Sequence, residues 1–143
     1  MNQDNFNGQK YSPAINAAAI TVSEAIVGNI IDLLGFESAT MIINFGLSTA
    51  SATLAVLLEE GDDSGLSDAA AVADADLIGT ELGAALNGPT EGNSTSKLGY
   101  IGGKRFIRLT VTASSLTGDG FVAADCALSN ARHDAQTSQV VSA

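Results

Sequence analysis

The sequence predicts an all-β fold, an antiparallel β-sandwich of jelly-roll-like form with long loops and a short helical turn. Six to eight short segments alternate apolar with polar positions or are rich in β-branched residues. Gly, Asp and Ser turns separate these segments, which is the spacing typical of a sandwich or barrel. Strands do not alternate with long helical segments, so the pattern does not indicate a parallel α/β sheet.

The length and composition indicate one domain with a thin core. A chain of 143 residues buries roughly 70% of the surface that its unfolded form exposes. Aromatic residues make up 5% of the chain and Trp is absent, so Ala, Val, Ile and Leu must form the core. Such a core buries less area per residue than an aromatic one, and assembly into a homo-oligomer would supplement it.

The two ends of the chain are polar. We predict a single sandwich domain over residues 1–143, with a polar N-terminal arm over about residues 1–13 and a flexible C-terminal tail over about residues 129–143. Polar arms of this kind often order only against a neighbouring molecule.

The first half of the chain contains four predicted strands. Residues 19–22 and 25–33 are short segments rich in β-branched residues, which strands favour. Residues 36–45 alternate most clearly, and residues 52–60 follow across a short polar link. One face of the third strand carries Ala39, Met41, Ile43 and Phe45, and one face of the fourth carries Leu54, Val56 and Leu58. We expect the third and fourth strands to pair as a hairpin.

The middle of the chain is less regular. Residues 67–75 carry a run of alanines and could form one or two helical turns, and Leu77 and Ile78 are expected to pack over a sheet edge. Residues 83–96 contain a Gly-Pro pair and many small polar residues, which predicts a long exposed loop.

Two further strands are predicted in the second half. In residues 97–112 a turn or bulge at Gly102 and Gly103 precedes a cleanly alternating stretch. Ile107, Leu109 and Val111 are expected to face the core, and Phe106, Arg108 and Thr110 to face outward or toward a partner. After a Gly-Asp-Gly turn, residues 121–128 form the last strand, whose core face carries Val122, Ala124, Cys126 and Leu128.

The charge balance excludes two classes of partner. The formal charge is -10, with six Lys and Arg against sixteen Asp and Glu. Nucleic-acid binding requires cations that displace counterions from phosphates, and anionic membranes attract basic segments, so neither partner is expected. The N-terminus lacks the pattern of a signal peptide, and the apolar run near residues 26–34 is far shorter than the ~20 residues that span a bilayer.

The residues needed for catalysis or metal binding are scarce. His133 is the only histidine and lies in the predicted tail, so a nucleophile activated by histidine is not expected. One Cys and one His cannot form a zinc site, and the acidic turn after residue 58 lacks the spacing of a calcium-binding loop. Cys126 is expected to be a buried apolar side chain. We therefore expect no enzymatic activity, no cofactor and no metal; the alternative to a solvated acidic turn is a structural cation bound there.

Half of the basic residues lie within five positions of an otherwise acidic chain. They could be ordinary outward-facing cations of a strand, or they could meet the acidic turn within or between subunits. Complementary charges of this kind determine register and partner more than affinity. The candidate assembly contacts are Lys104, Arg105, Arg108, Glu59, Glu60, Asp62 and Asp63.

Three segments carry a resemblance to a known group of proteins. They are LEEGDDSG (residues 58–65), VADADLIGT (residues 72–80) and LGYIGGKRFIRL (residues 98–109). Together they resemble small structural proteins, some of them capsid decoration proteins, from the head-morphogenesis regions of tailed bacteriophages and prophages. The resemblance covers residues 36–133 and is most specific at GYIGGKRFIR. Residues 129–134 depart from the Gly-His-Pro-like element with which that family commonly ends.

The resemblance implies a structural protein of the virion with no catalytic residues. The role it favours is a decoration (cement) protein, made in the host cytoplasm, that binds the major capsid protein on the outer surface of the capsid. Such proteins are frequently trimers. The alternative is a neck, head-completion or tail protein of the same virion. An enzyme or a carbohydrate-binding module is disfavoured, since the chain has no Trp and two Tyr to form a sugar-binding face.

Overall fold

The protein folds as two facing antiparallel sheets. A computed structural model describes residues 6–46, 52–87, 93–116 and 118–132. The strands are β1 (Gln9–Ile20), β2 (Ala25–Asp32), β3 (Phe36–Phe45), β4 (Thr53–Gly61), β5 (Ala70–Ala71), β6 (Leu77–Ile78), β7 (Leu86–Asn87), β8 (Ser94–Tyr100), β9 (Phe106–Ser114) and β10 (Gly120–Ala131). A 3-10 turn (Asp74–Asp76) and one short helix, α1 (Glu81–Ala84), lie between β5 and β7.

The strand order defines two sheets. Sheet 1 has the order β1-β10-β3-β8-β6, and sheet 2 has the order β2-β9-β4-β5, with β7 also paired to β4. Every strand pair is antiparallel. The prediction of an antiparallel β-sandwich with a short helical turn is therefore confirmed.

The core lies between the two sheets, and the alternation of the sequence predicted which residues form it. The predicted inward residues of β3, β4, β9 and β10 are all buried, with Ile43, Leu54, Leu58, Ile107, Leu109 and Leu128 at 0% exposure. Aliphatic side chains dominate this core. Burying one such side chain contributes about 1.5–3 kcal/mol.

The predicted hairpin between residues 36–45 and 52–60 is wrong. β3 lies in sheet 1 between β10 and β8, whereas β4 lies in sheet 2 beside β9. The two segments have the same period, but the chain crosses from one sheet to the other between them. Periodicity therefore identified the inward face of each strand and not its partner.

The ends of the sheet differ from the predicted arm and tail. β1 begins at Gln9 and pairs with β10, so residues 9–13 belong to sheet 1. β10 continues to Ala131, three residues into the predicted tail. Residues 1–5 and 133–143, which include His133, lie outside the described residues.

The middle of the chain contains more regular structure than predicted. The segment 67–75 forms no α-helix and contributes the two-residue strand β5 and the start of the 3-10 turn. The predicted loop 83–96 includes the end of α1, β7 and the start of β8, while residues 88–92 lie outside the described residues. Leu77 and Ile78, predicted to pack over a sheet edge, instead pair with β8 and form the edge strand of sheet 1 themselves. Among the described residues, no helix is long and apolar enough to cross a membrane.

Candidate functional site

The acidic turn between β4 and β5 is held together by its own carboxylates. Asp68 accepts hydrogen bonds from the backbone N–H groups of Asp62 (2.8 Å) and Asp63 (3.1 Å). Asp63 in turn accepts from the N–H groups of Ser67 (3.2 Å) and Gly65 (2.9 Å). These bonds lower the pKa of Asp63 and of Asp68, because they stabilise the charged form.

The carboxylates of the turn are therefore engaged by the backbone. Within the described residues, no group of three or more His, Cys, Asp or Glu side chains is placed to hold a metal ion. Gly61 begins the turn, and a Cβ at this position would lie 2.4 Å from Asp68 Oδ1. A side chain at this position would therefore displace the Asp68 carboxylate that holds the turn.

Tyr100 connects the two sheets beside this turn. It is the last residue of β8 in sheet 1, and its side chain is 3% exposed. The hydroxyl donates to Glu60 Oε2 at 2.5 Å, on β4 of sheet 2, and accepts from the backbone N–H of Lys104 at 2.9 Å. Burial, followed by the hydrogen bond to Glu60, raises the pKa of Tyr100 above its ordinary value.

Sequence reasoning did not assign this role to Tyr100. The sequence signal connected with this role is the glycine two positions after the tyrosine. In the structure, a Cβ at Gly102 would lie 2.5 Å from the tyrosine hydroxyl. The Gly102-Gly103 turn thus leaves the space that the phenol occupies.

Two ion pairs join the basic segment to the acidic turn and the end of β4. Lys104 Nζ lies 2.6 Å from Asp62 Oδ2. Arg108 Nη2 and Nε lie 2.9 and 3.1 Å from Glu59 Oε2. These two contacts confirm that the basic strand meets the acidic turn, and they do so within one chain.

Arg105 has a different partner from the one expected. Its Nη2 and Nε donate to the two oxygens of Asp32, at the end of β2, over 2.8 and 2.9 Å. The hydrogen bond from Arg105 is the largest cause that lowers the pKa of Asp32. Arg105 also lies over the ring of Phe106, 4.9 Å from its centroid. This contact helps to explain why Phe106, which was expected to face outward, is only 8% exposed.

All seven predicted site residues thus lie in one region. Their charged groups are bound within the chain, either by one another or by Asp32, Tyr100 or backbone N–H groups. The structure assigns them an internal structural role. Their participation in contacts between subunits stays a prediction.

The outer face of sheet 2 carries contiguous apolar side chains next to this region. Val27 on β2 and Leu57 on β4 flank Thr110 on β9 in one cross-strand row. Ile30 lies in the next row beside Arg108 and Glu59. Val27, Ile30 and Leu57 are 59%, 37% and 36% exposed. We call this surface the sheet-2 outer face; its members are Ala25, Val27, Ile30, Ala55, Leu57, Thr110 and Thr112.

A groove of about 420 Å³ opens at the end of the sandwich between the β2–β3 turn and the β8–β9 loop. Leu34 and Phe36 line one side, and Lys104 and Arg105 line the other. Its cations are paired with Asp62 and Asp32, so the groove offers no free positive charge from these two residues.

Comparison with known proteins shows the fold and no family. No family model matches the chain, and no curated protein matches it. A structure of infectious bursal disease virus (Gt strain) is similar to it with a TM-score of 0.51 and 13% identity, over 87% of this chain and 33% of that chain. The Gx strain of the same virus gives 0.50 and 12%, over 88% and 34%. This chain spans about a third of the length of those viral chains.

The alignment with a third solved structure covers nearly the whole of that chain. The SPBc2 prophage-derived protein YomS is similar with a TM-score of 0.47 and 16% identity, over 85% of this chain and 93% of that chain. At these identities, what the two viral chains share with this protein is the two-sheet antiparallel architecture.

Proposed function

We propose that this chain is a structural protein of a bacteriophage particle, and that it decorates the outer surface of the capsid by binding the major capsid protein. Its role is to stabilise the head rather than to catalyse a reaction. The proposal includes assembly as a homo-oligomer, with the trimer favoured.

The observation that carries the proposal is that the segments with the phage resemblance contact one another within the folded chain. The acidic turn and the GYIGGKRFIR segment, which carry the resemblance, meet in the folded chain. Tyr100 binds Glu60, Lys104 binds Asp62 and Arg108 binds Glu59. These contacts join β8, β9 and their loop to β4 and to the turn after it, so the motif maintains the fold. A motif that maintains a fold suits a structural protein.

The fold supports the same proposal. The two-sheet sandwich is similar to part of a chain from infectious bursal disease virus, so this architecture occurs in virus particles. The net charge of -10 keeps free copies soluble and apart. Weak contacts repeated over a shell would then add up to stable attachment.

The direct test is to return the purified chain to phage particles that lack it. We expect saturable binding to the outside of intact heads and an increase in the temperature at which the heads release DNA. Particles that already carry the chain are the control and should bind little more. Heads that bind none of the added chain, or a requirement for the chain in joining heads to tails, would contradict decoration and favour the neck, head-completion or tail alternative.

A further inference from the structure

The outer surface of sheet 1 carries two adjacent cross-strand rows with exposed apolar side chains. We call these rows the sheet-1 outer face; they are Tyr11, Ala127, Thr40, Gly99 and Ile78, followed by Pro13, Asp125, Ile42 and Lys97. Tyr11 and Ile78 are 44% and 62% exposed, and Ile42 is partly exposed. Patches of exposed apolar surface on small proteins are often binding sites. We propose that this face binds the same face of a second copy of this chain across a two-fold axis.

Two opposite charges lie on this face without a partner inside the chain. Asp125 and Lys97 flank Ile42, one strand away on either side. Both are exposed, and neither side chain takes part in an ion pair among the described residues. The two charges cancel, so the face is neutral although each copy carries -10. Two copies can therefore approach through it without net repulsion.

The face matches itself when a second copy is turned by a half rotation about an axis along β3. β3 is the central strand of sheet 1, so the rotation exchanges β10 with β8 and β1 with β6, and every strand stays within the contact. Asp125 of each copy then lies over Lys97 of the other, and Ile42 lies over its own counterpart. Tyr11 at one edge meets Ile78 of the second copy. Complementary charges placed in this way determine the register of the contact.

The carboxylates at the edge of sheet 1 do not oppose this arrangement. Asp74 and Asp76 precede β6, and the half rotation places them beside β1 of the second copy. The outward residues of β1 in this region are Gln9, Tyr11 and Pro13, none of which is charged. Like charges are therefore not brought together at the edge.

The size of the face indicates a weak contact. The four long strands of sheet 1, about 4.8 Å apart and over about seven residues that each rise about 3.3 Å, cover about 19 Å by 23 Å, or about 440 Å². Stable complexes bury roughly 800 Å² on each partner. Hydrogen-bonded polar pairs lie at the two ends of the face, Asn44 with Thr95 and Ser38 with Ser129, as in the polar rim of known interfaces. We expect a dissociation constant between about 1 μM and 1 mM.

A two-fold contact joins two copies and does not build a trimer. The inference therefore goes beyond the proposed function and is independent of the trimer favoured there. On a particle, this contact would join copies that belong to two neighbouring trimers.

The apolar part of the proposal is tested by sedimentation equilibrium of the full chain, up to a concentration on the order of 1 mM. The wild type should self-associate, and Ile42→Asp and Ile78→Asp should each raise the dissociation constant at least about tenfold. Leu57→Asp is the matched control, because Leu57 is also an outward strand residue but lies on sheet 2. Circular dichroism confirms that each variant is folded, and Ile78→Asp changes only the short edge strand.

The charge part is tested by mixing two variants. Lys97→Asp leaves only negative charge on the face, and Asp125→Lys leaves only positive charge, so each variant alone should associate more weakly than the wild type. Their mixture restores both interchain ion pairs and should associate more tightly than either variant alone. Asp32→Arg mixed with Arg105→Asp is the control, since this exposed ion pair lies at the end of sheet 2 and should give no such gain.

Three results would overturn the proposal: a wild type that associates no more than Ile42→Asp, a Leu57→Asp control that is weakened as much as Ile42→Asp and Ile78→Asp, or a charge mixture without gain. Each of these concerns the free chain. The capsid-decoration proposal is tested separately on particles, so its failure would be distinguishable.

Discussion

Replacing Tyr100 by phenylalanine removes the hydroxyl that connects the two sheets and leaves the aromatic ring in place. The change deletes the hydrogen bond to Glu60 on β4 and the one accepted from the backbone N–H of Lys104. The ring is almost fully buried, so its apolar packing is retained. The variant therefore isolates the contribution of the two hydrogen bonds.

The magnitude follows from the nature of the partners. A hydrogen bond to a charged group contributes about 1.5–3 kcal/mol, and a lost neutral bond about 0.5–1.5 kcal/mol. The N–H of Lys104 lies in an exposed loop, where water replaces part of the lost bond. We expect the free energy of unfolding to fall by about 2–3 kcal/mol and the melting temperature to fall by about 5–10 °C.

Urea denaturation followed by circular dichroism measures this change. Tyr11→Phe is the matched control, because Tyr11 is 44% exposed and donates to Gln9 Oε1 at 2.5 Å. Its loss should cost less than about 0.5 kcal/mol. If Tyr100→Phe is as stable as Tyr11→Phe, the hydrogen bonds of Tyr100 do not stabilise the contact between the sheets.

The stabilities of the same two proteins should also differ in their dependence on pH. Folding raises the pKa of Tyr100, so the stabilisation that accompanies this shift is fully present below the ordinary tyrosine pKa of about 10 and is lost as the pH rises above it. The difference in stability between wild type and Tyr100→Phe should therefore decrease above about pH 10.

Two other predictions concern the core. Gly28→Ala should cost about 3 kcal/mol or more, because a Cβ there would lie 2.3 Å from the carbonyl oxygen of Ala14 and 2.5 Å from that of Leu109. Gly103→Ala, with no heavy atom within 4 Å of its Cβ, should change the unfolding free energy by less than about 0.5 kcal/mol, and equal costs in the two variants would refute the geometry. Cys126 is buried with its pKa raised to about 12, so Ellman's reagent should modify it only as fast as the chain unfolds; rapid modification of the folded protein would contradict this.

The inward faces of the strands were predictable because the signal is local. Along β3, β4, β9 and β10, alternate side chains point to opposite sides of the sheet, so a period of two in hydrophobicity identifies the buried set. β1 was largely missed because its sequence does not alternate. It contains Pro13 and a run of alanines, and its pairing with β10 shifts register between Pro13 and Ile15 and again between Ile15 and Ala18.

Strand partners were not predictable in the same way. The pairing of β3 with β10 and β8, and of β4 with β9, joins segments far apart in the chain. Hydrophobic periodicity contains no information on such distant pairing. A short connection between β3 and β4 favoured a hairpin, and the requirement to cover both faces of the core outweighed that local preference.

The site was predictable in part for the same reason. Opposite charges concentrated in two segments allowed the interpretation that Lys104, Arg105 and Arg108 meet the acidic turn, and Lys104 and Arg108 do so. The pairing of Arg105 with Asp32 depends on β2 lying beside β9, and the contact of Tyr100 with Glu60 depends on how the two sheets face each other. Both are tertiary facts that composition and spacing do not encode.

The copy number of this chain in purified phage particles tests the central claim most directly. Quantitative mass spectrometry would measure it against the major capsid protein of the same particles. Decoration of the capsid predicts a fixed number of copies of this chain per capsid subunit, expressed as a ratio of small whole numbers. The chain would then be about as abundant as the capsid subunits. A few copies per particle, as in a single ring at the neck or tail, or the absence of the chain from particles, would contradict it.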